Sequence, residues 1–154
     1  MKIEYIKGNA FDTPAKYILH GCNAQGAMGS GFAAGVAALY PEARQAYLDR
    51  HAKDPLKVGE IIPVDCGRHV IINGITQEFY GRDPDFVYVS YDGVADVIRA
   101  VNDMVKVSPE TIQPIPRVAM PKIGAGLANG TWEVIAKLIE EFSPDFQPVV
   151  YVID

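Results

Sequence analysis

The chain has 154 residues, a formal charge of −5 and a hydrophobic fraction of 49%, which fits one globular domain and excludes a disordered chain. A balance of 14 Lys plus Arg against 19 Asp plus Glu argues against a nucleic-acid partner, which must be met by a basic face. No apolar run reaches the roughly 18 residues of a membrane span, and Met1-Lys2-Ile3-Glu4 lacks the apolar stretch of a signal peptide.

In chain order, Lys2 to Lys7 alternates polar and apolar residues and reads as a strand with one wet face, ended by Gly8-Asn9. Lys16 to His20 is a second short strand, closed by Gly21. From Gly21 to Gly31 runs a loop holding Gly21, Gly26, Gly29 and Gly31. Phe32 to Tyr40 is alanine-rich and helical, and Pro41 fits the first turn of a second helix, Glu42 to Lys53. Ile61 to Val64 and Arg68 to Ile75 are strand-like, with Cys66-Gly67 as a hairpin turn.

Gly74 to Tyr91 combines turn signals with aromatics and reads as a long functional loop. Asp92 is the expected cap of a helix whose Val94, Val97, Ile98, Val101, Met104 and Val105 form a buried stripe. Ser108 to Pro116 is a proline-broken connector, and Arg117 to Met120 is a strand stopped by Pro121. After the loop Lys122 to Gly130, residues Asn129 to Thr131 supply capping chemistry for a helix. Trp132, Ile135, Leu138, Ile139 and Phe142 mark the apolar face of that helix. Val149 to Ile153 is apolar enough for a strand covered on both faces. The order ββααββαβαβ predicts a three-layer α/β/α sandwich around a mixed, largely parallel six-stranded sheet, in a single domain spanning 1–154.

Two glycine-rich loops each follow a strand and lead to a helix: Cys22 to Ala33, and Pro121 to Trp132. Glycine lets backbone amides approach an anion closely, and a helix start offers unpaired N–H groups and a partial positive charge. Together they predict phosphate binding without a cationic side chain, in keeping with the absence of Lys and Arg between Gly21 and Tyr40. Two such loops at one sheet edge suit a diphosphate. Known phosphate and hydrolase motifs do not fit. Gly29-Ser30-Gly31-Phe32-Ala33-Ala34 has the letters of a dinucleotide fingerprint but lies about nine residues past the strand. Gly21 and Gly26 have P-loop spacing, but Ala27-Met28 stand where Lys-Ser/Thr is required. Ser30 is not in a nucleophile elbow.

At these residues the sequence resembles the macro domain family, whose members bind ADP-ribose and in part hydrolyse its derivatives. The resemblance covers Lys7-Gly8-Asn9, His20-Gly21-Cys22-Asn23, Gly29-Ser30-Gly31-Phe32-Ala33, Pro121 to Leu127 and the closing strand. It is strongest to the branch holding yeast-type ADP-ribose 1''-phosphate phosphatases and terminal ADP-ribose-glutamate hydrolases. The resemblance implies that Asn9 accepts from the adenine amino group, in a place where relatives usually carry Asp, and that Ala10 adds a backbone contact. It implies that Asn23 lies beside the distal ribose. Gly29, Ser30, Gly31 and Phe32 would line one side of the diphosphate, and Ile123, Gly124, Ala125, Gly126 and Leu127 the other. Tyr151 would pack near adenine. The residues alone also permit other readings: Asn9 as a strand end, Tyr151 as core, and Ile123 and Leu127 facing inward.

The glutamate-linked hydrolases of this branch use a Lys/Asp pair, and alignment puts Gln77 and Ala128 at those positions. Neither side chain can do that chemistry. For a phosphatase, His20 and Asn23 are the catalytic candidates, since the yeast-type enzymes share the His-x-Cys-Asn stretch. Asp83 and Asp85 are possible bases or solvated turn carboxylates. His51 reads as a surface residue on a charged helix, and no metal-ligand spacing is present. Two functions therefore stand. One is hydrolysis of ADP-ribose 1''-phosphate to ADP-ribose and phosphate, or of a related derivative such as O-acetyl-ADP-ribose. The other is binding of ADP-ribose, free or on protein, without turnover. Cys22 and Cys66 are too few for a disulfide scaffold. A cytoplasmic monomer needing no cofactor is expected, with no membrane or nucleic-acid partner.

Overall fold

The computed structural model describes residues 1–153. Its strands are β1 (Glu4–Lys7), β2 (Tyr17–Asn23), β3 (Ile61–Asp65), β4 (Val70–Gln77), β5 (Arg117–Met120) and β6 (Gln147–Val152). Its helices are α1 (Gly31–Leu39), α2 (Pro41–Lys53), α3 (Tyr91–Val105) and α4 (Trp132–Phe142). The strands form one sheet in the order β1-β6-β5-β2-β4-β3. Every neighbouring pair is parallel except the β3–β4 hairpin, where Val64 faces Ile71 and Ile62 faces Asn73. This is the mixed, largely parallel α/β/α sandwich expected from the pattern of elements. No described helix is long and apolar enough to cross a membrane.

Alternation along the strands divides the core. On one face Ile18, Ile71, Ile75 and Ala119 pack against Val36 of α1 and Ala43 and Tyr47 of α2. On the other face Leu19, Ile72, Val118, Met120 and Val150 pack against α3 and α4. The expected stripe of α3 is buried at Val94, Val97, Ile98, Val101 and Val105. Each buried side chain of this size contributes roughly 1.5–3 kcal/mol of transfer free energy.

Four local expectations change. β2 continues through Gly21 and Cys22 to Asn23, and a register shift at Cys22/Asn23 then releases the chain into the first glycine loop. β4 likewise runs on to Gln77, so the long loop begins there. Ser90 caps α3 instead of Asp92, its hydroxyl accepting from Gly93 N–H at 3.0 Å. Asn9 caps a short 3-10 turn, Ala10–Asp12, that has no hydrophobic period to announce it. The parallel strands deliver their carboxyl ends to one rim, and the glycine loops leave from there.

Candidate functional site

A cleft of about 800 Å³ opens at that rim. Three stretches of chain line it. The end of β2 and the start of α1 supply Gly21, Cys22, Asn23, Ala27 and residues 29–33. The second glycine loop supplies Pro121 to Gly124 and Gly126 to Ala128. The third stretch is Thr76, Gln77, Tyr80, Gly81 and Arg82, from β4 and the loop after it. The two glycine loops thus face a common space.

The first loop is built around Asn23 and Tyr47. Asn23 Nδ2 donates to Ala27 O at 2.7 Å, and its Oδ1 accepts from Gln25 N at 2.9 Å. Tyr47, fully buried on α2, donates its hydroxyl to Asn23 O at 2.6 Å and accepts from Gly26 N at 3.1 Å. Desolvation by burial keeps that phenol protonated, well above its ordinary range. His51, expected on the surface, is half-buried against Gly26, where an added Cβ would lie 2.6 Å from its ring. Beyond this scaffold Ser30 stands at the N-cap of α1 with no side-chain capping bond, so its hydroxyl is not consumed by the helix. The first amides of α1 have no intrahelical partner and carry the positive end of the dipole.

The second loop works differently from its sequence description. Gly130 N donates to Gly124 O at 2.7 Å and Asn129 N to Gly126 O at 3.1 Å, folding the segment back on itself. Helix α4 starts only at Trp132, and neither Thr131 nor Trp132 lines the cleft. The part of this segment that lines the cleft is therefore the turn, with Gly124 held at φ +76°; Ile123 N and Ala125 N donate within it, to Pro121 O at 2.8 Å and Lys122 O at 3.3 Å. Ile123 is buried and Leu127 half-exposed, although both line the cleft.

No family model matches the chain. The ADP-ribose 1''-phosphate phosphatase of Candida albicans is 32% identical over 147 residues, covering 91% of this chain and 93% of that protein. The chain belongs to the macrodomain family. A macrodomain protein from Streptomyces coelicolor matches it with a TM-score of 0.76 at 26% identity, over 98% of this chain and 99% of that one. Thermosipho africanus DarTG, solved in complex with ADP-ribose, matches with a TM-score of 0.76 at 17% identity, over 99% of this chain and 42% of that one.

Within this macrodomain the residues singled out from sequence fall into three groups. Asn23, Gly29, Ser30, Gly31, Phe32, Ile123, Gly124, Gly126 and Leu127 line the cleft together. Ala125 belongs to the same turn but packs against the apolar core. Asn9, Ala10 and Tyr151 lie outside the lining, toward the β1–β6 side of the sheet. Asn9 Oδ1 accepts from Phe11 N at 2.9 Å, Ala10 is buried, and the Tyr151 hydroxyl donates to Thr13 Oγ1 at 2.8 Å. Phe11 links that side to the cleft, stacking on Phe32 at 4.4 Å between centroids.

His20 does not reach the cleft. It is 1% exposed, with Nε2 2.6 Å from Asn73 Oδ1. Both hydrogens of the Asn73 amide go to carbonyls, Ala43 O at 3.1 Å and Ile62 O at 3.3 Å. Oδ1 must therefore accept, which makes Nε2 the protonated ring nitrogen. Burial lowers the His20 pKa to about 4, outweighing the opposing effect of the hydrogen bond that it donates to Asn73. At neutral pH His20 is an uncharged strut. The adjacent Cys22 thiol is pushed up by the same desolvation and is no nucleophile.

The sequence reading missed Arg82 and Lys122, two cations that line a cleft expected to rely on amides alone. Lys122 stands 5.7 Å from the Trp132 ring centroid. Arg82 sits in the aromatic loop, whose turn residues signalled function without indicating which side chain would point where. Asp83 and Asp85 do not line the cleft, and Asp83 Oδ1 is occupied by Asp85 N at 2.9 Å.

Proposed function

We propose that the cleft binds ADP-ribose by its pyrophosphate and that the domain hydrolyses ADP-ribose 1''-phosphate to ADP-ribose and phosphate. The observation that carries this reading is the meeting of two glycine-built segments across one cleft at the carboxyl ends of the strands. The unpaired amides at the start of α1 are one wall of the cradle, and the turn of Ile123, Gly124, Gly126 and Leu127 is the other. Adenine extends toward β1 and β6. There Asn9 Oδ1 keeps a second lone pair beyond its bond to Phe11 N, able to accept from the purine amino group. Tyr151 and the Phe11–Phe32 stack are the apolar surfaces on that side. The named activity of the Candida albicans relative supports the choice of substrate.

Among the described residues, the lining holds no His, Asp or Glu. Hydrolysis here rests on electrostatic stabilisation of the phosphate by amides and by the Arg82 and Lys122 charges. His20 and Asn23 act as positioning residues, His20 as a buried strut within β2 and Asn23 as the brace of the first loop. The same lining favours a second reading, in which ADP-ribose is bound and never turned over.

Calorimetry with ADP-ribose tests the shared premise, with micromolar binding expected, on the order of −7 to −8 kcal/mol. Phosphate release from ADP-ribose 1''-phosphate separates the two readings, since a pure binder releases none. Parallel incubation with O-acetyl-ADP-ribose and ADP-ribosylated protein identifies any other substrate.

A further inference from the structure

The two ends of the cleft differ chemically. β1 and β6, with Asn9 and Tyr151, lie on one side of β2 in the sheet, and β4 lies on the other. From β4 and the loop after it come Thr76, Gln77, Tyr80, Gly81 and Arg82. Two independent features of this end call for an anion. The first is Arg82, which is exposed, lines the cleft and makes no ion pair or hydrogen bond among the described residues. In a chain with 19 acidic against 14 basic residues, an arginine without a carboxylate partner inside a cleft is ready for an external one. The second is Thr76. It is 1% exposed, and its Oγ1 is buried with no hydrogen-bond partner. That hydroxyl faces Gly21, where an added Cβ would come within 2.7 Å of it. Only a glycine at position 21 leaves room for that hydroxyl, which packs against the β2 backbone at the floor of the cleft. A buried hydroxyl left unpaired costs roughly 1–3 kcal/mol, a cost that a ligand oxygen removes.

The loop carrying Arg82 is anchored. Asp83 N donates to the Tyr88 hydroxyl at 3.1 Å, and Asn129 Nδ2 donates to Asp83 O at 2.9 Å and Phe86 O at 2.8 Å. Arg82 therefore projects from a segment tied to the second glycine loop. Its planar fork of donors matches a phosphate with three terminal oxygens better than it matches a sugar hydroxyl.

We propose that Arg82, assisted by the Thr76 hydroxyl, forms an anion subsite at the β4 end of the cleft. It reads a phosphate carried on the distal ribose, separately from the amide cradle that holds the pyrophosphate. This proposal rests on the ADP-ribose reading above. It makes the chain prefer a 1''-phosphorylated ligand to ADP-ribose itself.

The test compares ADP-ribose with its non-hydrolysable 1''-phosphonomethyl analogue by calorimetry on the full chain. The wild-type chain binds the phosphonate more tightly. In Arg82→Gln the ratio of the two affinities falls about tenfold, the scale of one charge-assisted hydrogen bond. Thr76→Val, which keeps the side-chain shape, reduces the same ratio by a smaller factor. Equal losses for both ligands in Arg82→Gln would place Arg82 on the pyrophosphate and overturn the proposal, as would an unchanged affinity for both. A wild-type chain that binds neither ligand overturns the underlying reading instead.

Discussion

Tyr47 on α2 donates its hydroxyl to the backbone carbonyl of Asn23 at 2.6 Å, so a buried helix residue sets the path of a loop 24 residues earlier. The same hydroxyl accepts from Gly26 N, and Asn23 closes the turn through Ala27 O. Tyr47→Phe leaves a carbonyl and an amide unpaired, and about 1–3 kcal/mol of stability should be lost. Urea unfolding measures that loss, and calorimetry should show weaker ADP-ribose binding as the first loop loosens. Unchanged binding alongside reduced stability would show that the brace supports the fold alone.

Two glycines of the second loop should respond in opposite ways. Gly126 has nothing within 4 Å of an added Cβ and lines the cleft. Gly126→Leu should therefore fold normally and block ADP-ribose. Gly124 has φ +76°, and its added Cβ would lie 2.7 Å from Val89 Cγ2 and 3.1 Å from Ile135 Cδ1. Gly124→Ala should lower stability by about 1–3 kcal/mol through backbone strain and overpacking. Thermal melts paired with binding isotherms separate the two cases.

His20 makes stability depend on pH. Its folded pKa is about 4 against an ordinary 6.5, so between those values the unfolded chain binds more protons. Its contribution is complete above pH 6.5 and is lost as pH falls toward 4, by about 3 kcal/mol in total. Urea midpoints between pH 4 and 8 should show that slope, and His20→Gln should flatten it whatever its absolute stability. If the slope persists in the variant, other groups carry the acid sensitivity.

Asn129 sits at φ 60°, and its side chain ties the second glycine loop to the aromatic loop through Asp83 O and Phe86 O. Asn129→Gly allows the same backbone conformation without steric penalty and deletes both bonds. Limited proteolysis should then cut between residues 78 and 90 faster than in the wild type. Affinity for the phosphonate should fall as Arg82 loses its anchor. Resistance equal to the wild type would mean that the backbone bonds from Tyr88 and Val89 to Ala128 O hold the loop by themselves.

The layer order was legible because periodicity reports which face of an element is covered. The α3 stripe of Val94, Val97, Ile98 and Val101 is an example. Strand ends were less legible. Gly21 looks like a terminator, yet it continues β2 because Thr76 occupies the volume its side chain would need. Ser90 and Asp92 are both capping types, and only the path out of the aromatic loop decides between them. The glycine loops announced the cleft through composition, whereas Arg82 came from a loop without periodicity. The burial of His20 depends on Asn73, 53 residues away, a pairing visible only once β2 and β4 lie side by side.

The cleft walls leave the adjacent strands β5, β2 and β4, and the loop after β4 is bonded to both glycine loops, through Ala24 N to Glu78 O at 3.1 Å and Tyr88 N to Ala128 O at 2.9 Å. A molecule lodged between the two glycine loops acts as a clasp that closes this ring of segments. Its occupancy should slow amide hydrogen exchange across residues 21–33, 76–82 and 121–128 at once, and raise the melting midpoint in step with its concentration.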